Sequence, residues 1–397
     1  MSGVVIIGAG HAAGQAAASL RQAKYTGDIT IVGDEAHIPY QRPPLSKAYL
    51  KGDQSADKVY LRAESFYADR DIAMKLSTRA TAIDTTAKTV ALSSDETLHY
   101  DHLLISTGSR PRKLSIDGSD LPGIHYLRTM DDVDGLRDGM QADANLVIVG
   151  GGYIGLEVAA VGRELGLNVH VLEMEERILQ RVTTPEMSAY YHQLHEGRGV
   201  NIHTSTGVTG FAGDGKVEEV ICGDQRFPAD IVIVGIGIIP NTELAETAGI
   251  HCDNGIVVDD HCRTSDPHVY AAGDCSGPHE IVHVAIRQGE TAAFHALGKT
   301  VEPMDYDHLL TVVFTDPQVA RVGLSPAQLR ERGIEFLSAS YPFDDHGKSI
   351  LMEAKHGYVA VHAEKSTGRV LGAECAGKDA GELIHSLSLA VSLEATV

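Results

Sequence analysis

The sequence predicts an α/β protein: two Rossmann-like dinucleotide-binding domains followed by an α+β C-terminal domain. Three observations carry this. A glycine fingerprint stands at the extreme N-terminus, Val4-Val5-Ile6-Ile7-Gly8-Ala9-Gly10-His11-Ala12-Ala13-Gly14. A second reads Val147-Ile148-Val149-Gly150-Gly151-Gly152-Tyr153-Ile154-Gly155-Leu156-Glu157. Around each, strand, glycine turn, helix, strand and acid follow in register, which a chance glycine pattern does not reproduce.

Size and composition agree with several domains. At 397 residues the chain exceeds what a single core usually supports. No apolar run approaches the roughly 20 residues of a membrane span, and the short apolar N-terminal run leads straight into glycines, as a strand does and a signal peptide does not. The net charge of −21 opposes binding to nucleic acid and to anionic membranes. The five cysteines, Cys222, Cys252, Cys262, Cys275 and Cys375, are odd in number and lack CxxC spacing. That pattern suits reduced cytoplasmic thiols rather than a disulfide framework or a zinc site, and no metal is expected.

In the first fingerprint, residues 3–7 form a buried strand and residues 11–22 an Ala-rich helix. Gly8 permits the tight turn, Gly10 the close approach of a pyrophosphate, and Ala13 takes the helix-packing third position. The helix N-terminus then faces the phosphates with its positive end. The next strand, Asp28 to Val32, runs into Gly33-Asp34-Glu35, which places acids where ribose hydroxyls are bound. Beyond it lies Ile38-Pro39-Tyr40-Gln41-Arg42-Pro43-Pro44-Leu45-Ser46-Lys47. Its paired prolines stiffen a loop that sets two cations, Arg42 and Lys47, just past the phosphate site.

The second fingerprint predicts a strand at 146–149, a helix at 153–166 and a strand from Asn168 to Leu172. Glu173 ends that strand, some 18 residues past Gly155. A carboxylate there accepts hydrogen bonds from a 2′-hydroxyl and repels a 2′-phosphate, so NADH is favoured over NADPH. Tyr153 and Glu157, four residues apart, share a helix face.

The remaining pattern is a β-rich stretch at 72–107, further strands to 234, and a strand at 268–272. C-terminal strands are expected near 310–314, 334–341, 358–363 and 369–374. The implied domains are 1–115 with 242–305, an inserted 116–241, and 306–397.

The loop 38–47 closely resembles the flavin loop of NADH-dependent ferredoxin reductases of the putidaredoxin reductase type, which serve cytochrome P450 and dioxygenase systems, and is similar to that of apoptosis-inducing factor. The resemblance implies that Arg42 touches the FAD pyrophosphate and that Lys47 lies beside the reactive N5 edge of the flavin. Two further segments look like FAD contacts of the same superfamily: Leu103-Leu104-Ile105-Ser106-Thr107-Gly108-Ser109-Arg110, and Val269-Tyr270-Ala271-Ala272-Gly273-Asp274, where Asp274 would bind the ribityl chain. From its position alone, Asp274 is equally a helix N-cap. The resemblance continues through Arg177-Ile178-Leu179-Gln180-Arg181-Val182-Thr183 and Gly235-Ile236-Gly237-Ile238-Ile239-Pro240-Asn241. It places Tyr153 over the nicotinamide pocket and points Glu157 at Lys47. The FAD-binding candidates are thus Gly8, Gly10, Ala13, Gly14, Asp34, Glu35, Arg42, Lys47, Ala80, Thr107, Gly108, Arg110, Gly273, Asp274 and Val282. Those for NADH are Gly150, Gly152, Tyr153, Ile154, Gly155, Glu173 and Gly237, and Lys47, Tyr153 and Glu157 are the catalytic candidates.

From about residue 277 the likeness changes branch. Val282-His283-Val284-Ala285, Val312-Val313-Phe314-Thr315-Asp316-Pro317, Arg321-Val322-Gly323-Leu324, Gly368-Arg369-Val370-Leu371-Gly372-Ala373 and Ala380-Gly381-Glu382-Leu383-Ile384-His385 resemble glutathione reductase, dihydrolipoamide dehydrogenase and mercuric reductase. In those families this domain forms a homodimer interface. Their redox-active cysteine pair would fall where Gln41 to Lys47 stands, and no cysteine precedes Cys222. Their catalytic histidine segment has no counterpart here, and His283 and His385 are poor substitutes. Cys275, beside Gly273-Asp274, reads as a buried packing residue. The tryptophan-bearing C-terminal segment of the ferredoxin reductases is also missing, since the chain has no tryptophan.

The resemblance implies an FAD-dependent oxidoreductase that takes hydride from NADH and passes electrons to an external acceptor. A [2Fe–2S] ferredoxin is favoured, docking near Arg110, Arg112, Lys113 and Arg287. Two alternatives stay open: a diaphorase acting on quinones or other small acceptors, and an NADH-sensing flavoprotein resembling apoptosis-inducing factor.

Overall fold

The computed structural model describes residues 3–397 apart from Val182, Thr184, Pro278 and 314–316, and apart from the side chain of Glu186. Parts of two motifs, at Val182 and at Phe314-Thr315-Asp316, therefore lie outside the described residues. The chain forms two compact units. One comprises Met1–Met140, Gly210–Glu218 and Ile231–Met304; the other comprises Gln141–Thr209, Glu219–Asp230 and Asp305–Val397.

The first unit is built on the strand Gly3–Ile7, buried along its whole length. A continuous Val/Ile run with both faces covered belongs in the middle of a parallel sheet. It pairs in parallel with Ile29–Val32 on one side (Val5 opposite Thr30) and with Thr97–Ile105 on the other (Val5 opposite Leu103). Ile72–Lys75 extends the sheet in parallel beyond Ile29–Val32. Val269–Ala271 pairs with the C-terminal half of Thr97–Ile105, while Thr89–Leu92 and Ala80–Asp84 form an antiparallel wing on its N-terminal half. Alternate side chains feed two cores. Val4 and Ile6 pack with Ala12, Ala16, Leu20, Ala292 and Ala293 from the helices His11–Gln22 and Val282–Ala296. Val5 and Ile7 pack with Val90, Leu103, Ile105, Ala245 and Ile250 on the opposite face. The two helices approach closely because Gly289 lacks a side chain: a Cβ there would lie 2.4 Å from the Ala12 carbonyl oxygen. Ser109–Pro111 and Ile238–Pro240 form a short antiparallel ribbon. Asn241 fastens it, donating from its backbone N–H to Gly108 O (2.9 Å) and from Nδ2 to Thr107 O (2.9 Å), while Thr107 Oγ1 donates to Asn241 O (2.7 Å).

In the second unit Asn145–Val149, Asn168–Leu172 and Asn201–His203 lie parallel, with His170 opposite both Val147 and Asn201. The helix after the second fingerprint spans Tyr153–Glu164, shorter than the expected 153–166, because Leu165 caps it and Gly166 turns out at φ +85°. The C-terminal part is a five-stranded antiparallel sheet in the order Leu310–Val313, Gln318–Gly323, Val370–Gly377, Gly357–Glu364, Phe336–Pro342. Four of these strands are expected from the sequence; Gln318–Gly323 is an additional central one. On one face, Ala320, Val322, Ala373 and Cys375 pack against Ala380 and Ile384 of the helix Ala380–Ser392. Val319 and Ala376 pack instead with Leu156, Ile178, Met187 and Tyr191. Among the described residues no helix is long and apolar enough to cross a membrane.

Candidate functional site

The first fingerprint opens into a cleft of about 1220 Å³ in the first unit, larger than the roughly 300–1,000 Å³ of common small-ligand sites. Gly8 sits at φ +106°, and a Cβ there would come within 2.1 Å of the Ser106 carbonyl oxygen, so the turn requires glycine. A Cβ at Gly10 would meet nothing within 4 Å; the backbone is bare toward the cleft. Gly10 also caps the helix His11–Gln22 without any side-chain hydrogen bond, and the first turn holds no acid. Its unsatisfied N–H groups and positive dipole end therefore suit an anionic ligand. These features fit the diphosphate of a dinucleotide.

Of the residues expected at FAD, the cleft brings together Gly8, Gly10, Asp34, Glu35, Arg42, Ala80, Thr107, Gly108, Arg110, Gly273, Asp274 and Val282. Three of the expected residues do not line it. Ala13 is fully buried behind the turn, and Gly14 packs where a Cβ would touch Pro39 at 3.0 Å. Lys47 donates from Nζ to Pro43 O (3.2 Å) and Ser46 Oγ (3.5 Å) within its own loop.

A polar chain runs across the cleft wall. Arg42 pairs with Glu35 at 2.5 Å, bonds Tyr40 Oη at 3.0 Å and donates to the Arg128 backbone carbonyl at 2.7 Å. Tyr40 in turn donates to Glu35 at 2.5 Å, and burial pushes its phenol well above the usual range. Arg128 then pairs with Asp274 at 2.8 Å, and Ser109 Oγ donates to the same carboxylate oxygen at 2.7 Å. Asp274 is thus committed to side chains, and the alternative N-cap role is not realised: the cap of Val282–Ala296 is Ile281. Arg128, His11, Asn241 and Glu280 also line the cleft and were missed from the sequence. Arg128 carries a local signal, for it immediately precedes the capping box Thr129/Asp132, and Asp132 accepts from its backbone N–H at 3.0 Å.

The second fingerprint repeats the turn chemistry. Gly150 has φ +108°, Gly152 caps its helix with no side-chain hydrogen bond, and the first turn carries no acid. A Cβ on Gly155 would lie 2.2 Å from the Gly150 carbonyl oxygen, so helix and turn close only around glycine. Glu173 accepts from Gly151 N–H at 2.7 Å and, through its other oxygen, from Glu175 N–H at 2.8 Å. Both bonds hold the carboxylate beside the glycine turn. Tyr153 is half-buried against the Leu156–Tyr191 cluster, and burial raises its phenol pKa. Ile154 is exposed and Glu157 half-buried. Gly237 belongs to the first unit, its carbonyl accepting from Arg112 N–H at the end of the ribbon.

All five cysteines are free. Burial lifts the thiols of Cys275 to about 11 and of Cys262 and Cys375 to about 12, so none of these three is a thiolate at neutral pH. Among the cations expected at a docking surface, Arg110 pairs with Glu243 at 2.6 Å and Arg287 with Glu290 at 2.7 Å. Lys113 lies over the Tyr126 ring at 5.8 Å.

Comparison with known proteins agrees with this geometry. Residues 2–289 match the model of the pyridine nucleotide-disulphide oxidoreductase family, and residues 309–397 match its dimerisation domain. The chain is 45% identical over 283 residues to putidaredoxin reductase of Pseudomonas putida, covering 70% of this chain and 67% of that one. It spans about two thirds of the length of the curated relatives it matches. Two solved structures cover nearly the whole chain. The covalent putidaredoxin reductase–putidaredoxin complex has TM-score 0.86 at 36% identity, covering 98% of this chain and 93% of that one. The ferredoxin reductase for the CYP199A2 system of Rhodopseudomonas palustris has TM-score 0.87 at 35% identity, covering 100% and 96%.

Proposed function

The chain belongs to the pyridine nucleotide-disulphide oxidoreductase family, whose members are oxidoreductases using FAD and NAD(H), and on that premise we propose that it carries electrons from NADH to an iron–sulfur ferredoxin. One observation carries the choice of acceptor. The loop Gln41 to Lys47 holds no cysteine, and the thiols of Cys262, Cys275 and Cys375 are buried and protonated. Electrons therefore leave for an external partner rather than through a disulfide. FAD, when bound, supplies the conversion from a two-electron donor to single-electron output.

The protein's part is to bind and orient. In this reading the N–H groups after Gly10, with Arg42 and Arg128, hold the FAD diphosphate; Asp34 or Glu35 takes the ribose and Asp274 the ribityl chain. Gly150, Gly152 and Gly155 seat the NADH diphosphate, and Glu173 selects the 2′-hydroxyl. Lys47, Tyr153 and Glu157 are the catalytic candidates of this reading. The relatives named as ferredoxin reductases, and the solved reductase–putidaredoxin complex, support the partner class. The C-terminal domain, with Leu383 and Leu389 exposed on its last helix, supports a homodimer. The free cysteines support a cytoplasmic setting.

The test is anaerobic stopped-flow of the FAD-loaded protein with NADH, followed by a [2Fe–2S] ferredoxin or a quinone. Rapid flavin bleaching by NADH and rapid reoxidation by ferredoxin are expected. High turnover with quinone and none with any ferredoxin would replace this reading by a diaphorase; a long-lived reduced state inert to both would replace it by an NADH sensor.

A further inference from the structure

His11 is the first residue of the helix that follows Gly8 and Gly10, and its side chain lines the cleft. Its surroundings are unusual for an imidazole. It is 8% exposed and lines the cleft, and its ring nitrogens are not among the sealed side-chain atoms that lack a partner, so they keep access to the cleft. An imidazole N–H that opens on the cleft is available to a ligand there. The protein groups acting on it electrostatically are Arg42, Arg128 and Asp274. Glu280, ahead of the helix Val282–Ala296 that packs on this one, lines the same cleft. Two cations and an imidazole thus share one wall beside a bare helix N-terminus. Arg42 and Arg128 are each paired with a carboxylate, Glu35 and Asp274, so the imidazole and the helix N–H groups are the donors turned to the cleft.

We propose that His11 is a direct contact to the phosphate–sugar backbone of the dinucleotide bound in this cleft, donating an imidazole N–H to it. The inference rests on the assignment of FAD to the first fingerprint. It adds a residue that the glycine pattern does not require, since the position after the second glycine is variable in that pattern.

A consequence for pH follows from the same neighbours. Burial first, then Arg42 and Arg128, lower the His11 pKa from 6.5 to about 4, with Asp274 opposing them. A bound diphosphate offsets the field of both arginines and faces the ring directly, so the pKa is higher with FAD than without it. The complex then takes up a proton. FAD is held more tightly as pH falls through the bound-state pKa, and the gain levels off below about 4, where the flavin-free imidazole is also protonated.

The experiment uses the FAD-loaded protein and follows flavin release by fluorescence after dilution, from pH 8.5 to 5.5. For the parent, release is expected to slow by about tenfold across that range, which corresponds to a bound-state pKa raised by roughly two and a half units from about 4. His11→Asn keeps a neutral donor and cannot be protonated; it should release FAD within about twofold of the parent rate at pH 8.5 and lose the pH dependence. His11→Ala should release FAD faster at every pH, with its fold checked by circular dichroism. Parental rates and parental pH slope in both variants would overturn the role of His11 while leaving the cleft assignment standing. A protein that neither carries nor takes up FAD would overturn both.

Discussion

The two fingerprints are near copies, and their difference lies outside the glycines. Each turn has a positive-φ glycine and an uncapped glycine at the start of a 12-residue helix. The acids that follow are used differently. Glu35 is tied into a chain with Tyr40 and Arg42 that continues through Arg128 to Asp274 and Ser109, and this chain forms the wall of a large cleft. Glu173 folds onto its own turn through Gly151 and Glu175. The first arrangement suits a ligand that stays and the second a ligand that exchanges. In the proposed reading, retention of FAD rests on arginines that the fingerprint does not specify.

Removing one such arginine gives the largest effect. Arg42→Ala strips partners from Glu35 and Tyr40, and the loss of charge-assisted bonds at a mostly buried site costs about 2–3 kcal/mol. Flavin binding should weaken by roughly 30- to 150-fold, read as flavin retained after gel filtration; full retention would place the holding groups elsewhere. A smaller effect is expected at the other turn. Glu173→Ala should raise the KM for NADH about tenfold and leave flavin content unchanged, and steady-state kinetics with NADH and NADPH would show it. An unchanged NADH KM would remove the second fingerprint from coenzyme binding. Arg110→Ala marks the lower limit. Its pair with Glu243 is half-exposed, so the cost is about 0.5 kcal/mol or less, visible as a melting temperature within about 2 °C of the parent. A larger drop would mean that its bond to Asn241 holds the ribbon together.

How much was legible follows from how far each feature reaches along the chain. Gly8, Gly150 and Gly155 could be assigned because their constraint is local: φ or a backbone clash within a few residues. The strands Gly3–Ile7 and Asn145–Val149 declared themselves as apolar runs between turn signals. Arg128 could not be read, because its partner Asp274 is 146 residues away and its own segment looked like part of the other dinucleotide domain. Gln318–Gly323 was hidden because its Arg321 and Gln318 break the apolar run, although Val319, Ala320 and Val322 are buried. The position of Lys47 was equally unreadable: a flexible side chain can turn back to Pro43 O, and no spacing rule forbids it.

The strand Val269–Ala271, slotted beside Thr97–Ile105, sets an order of events during synthesis. Ser109 meets its carboxylate partner 165 residues later, and Gly273, Asp274 and Val282 close the cleft begun by Gly8. A ribosome must therefore release the chain as far as Val282 before the pocket is complete. Flavin can accordingly act only after the segment from Gly273 to Val282 has been made, and not on the N-terminal fingerprint alone.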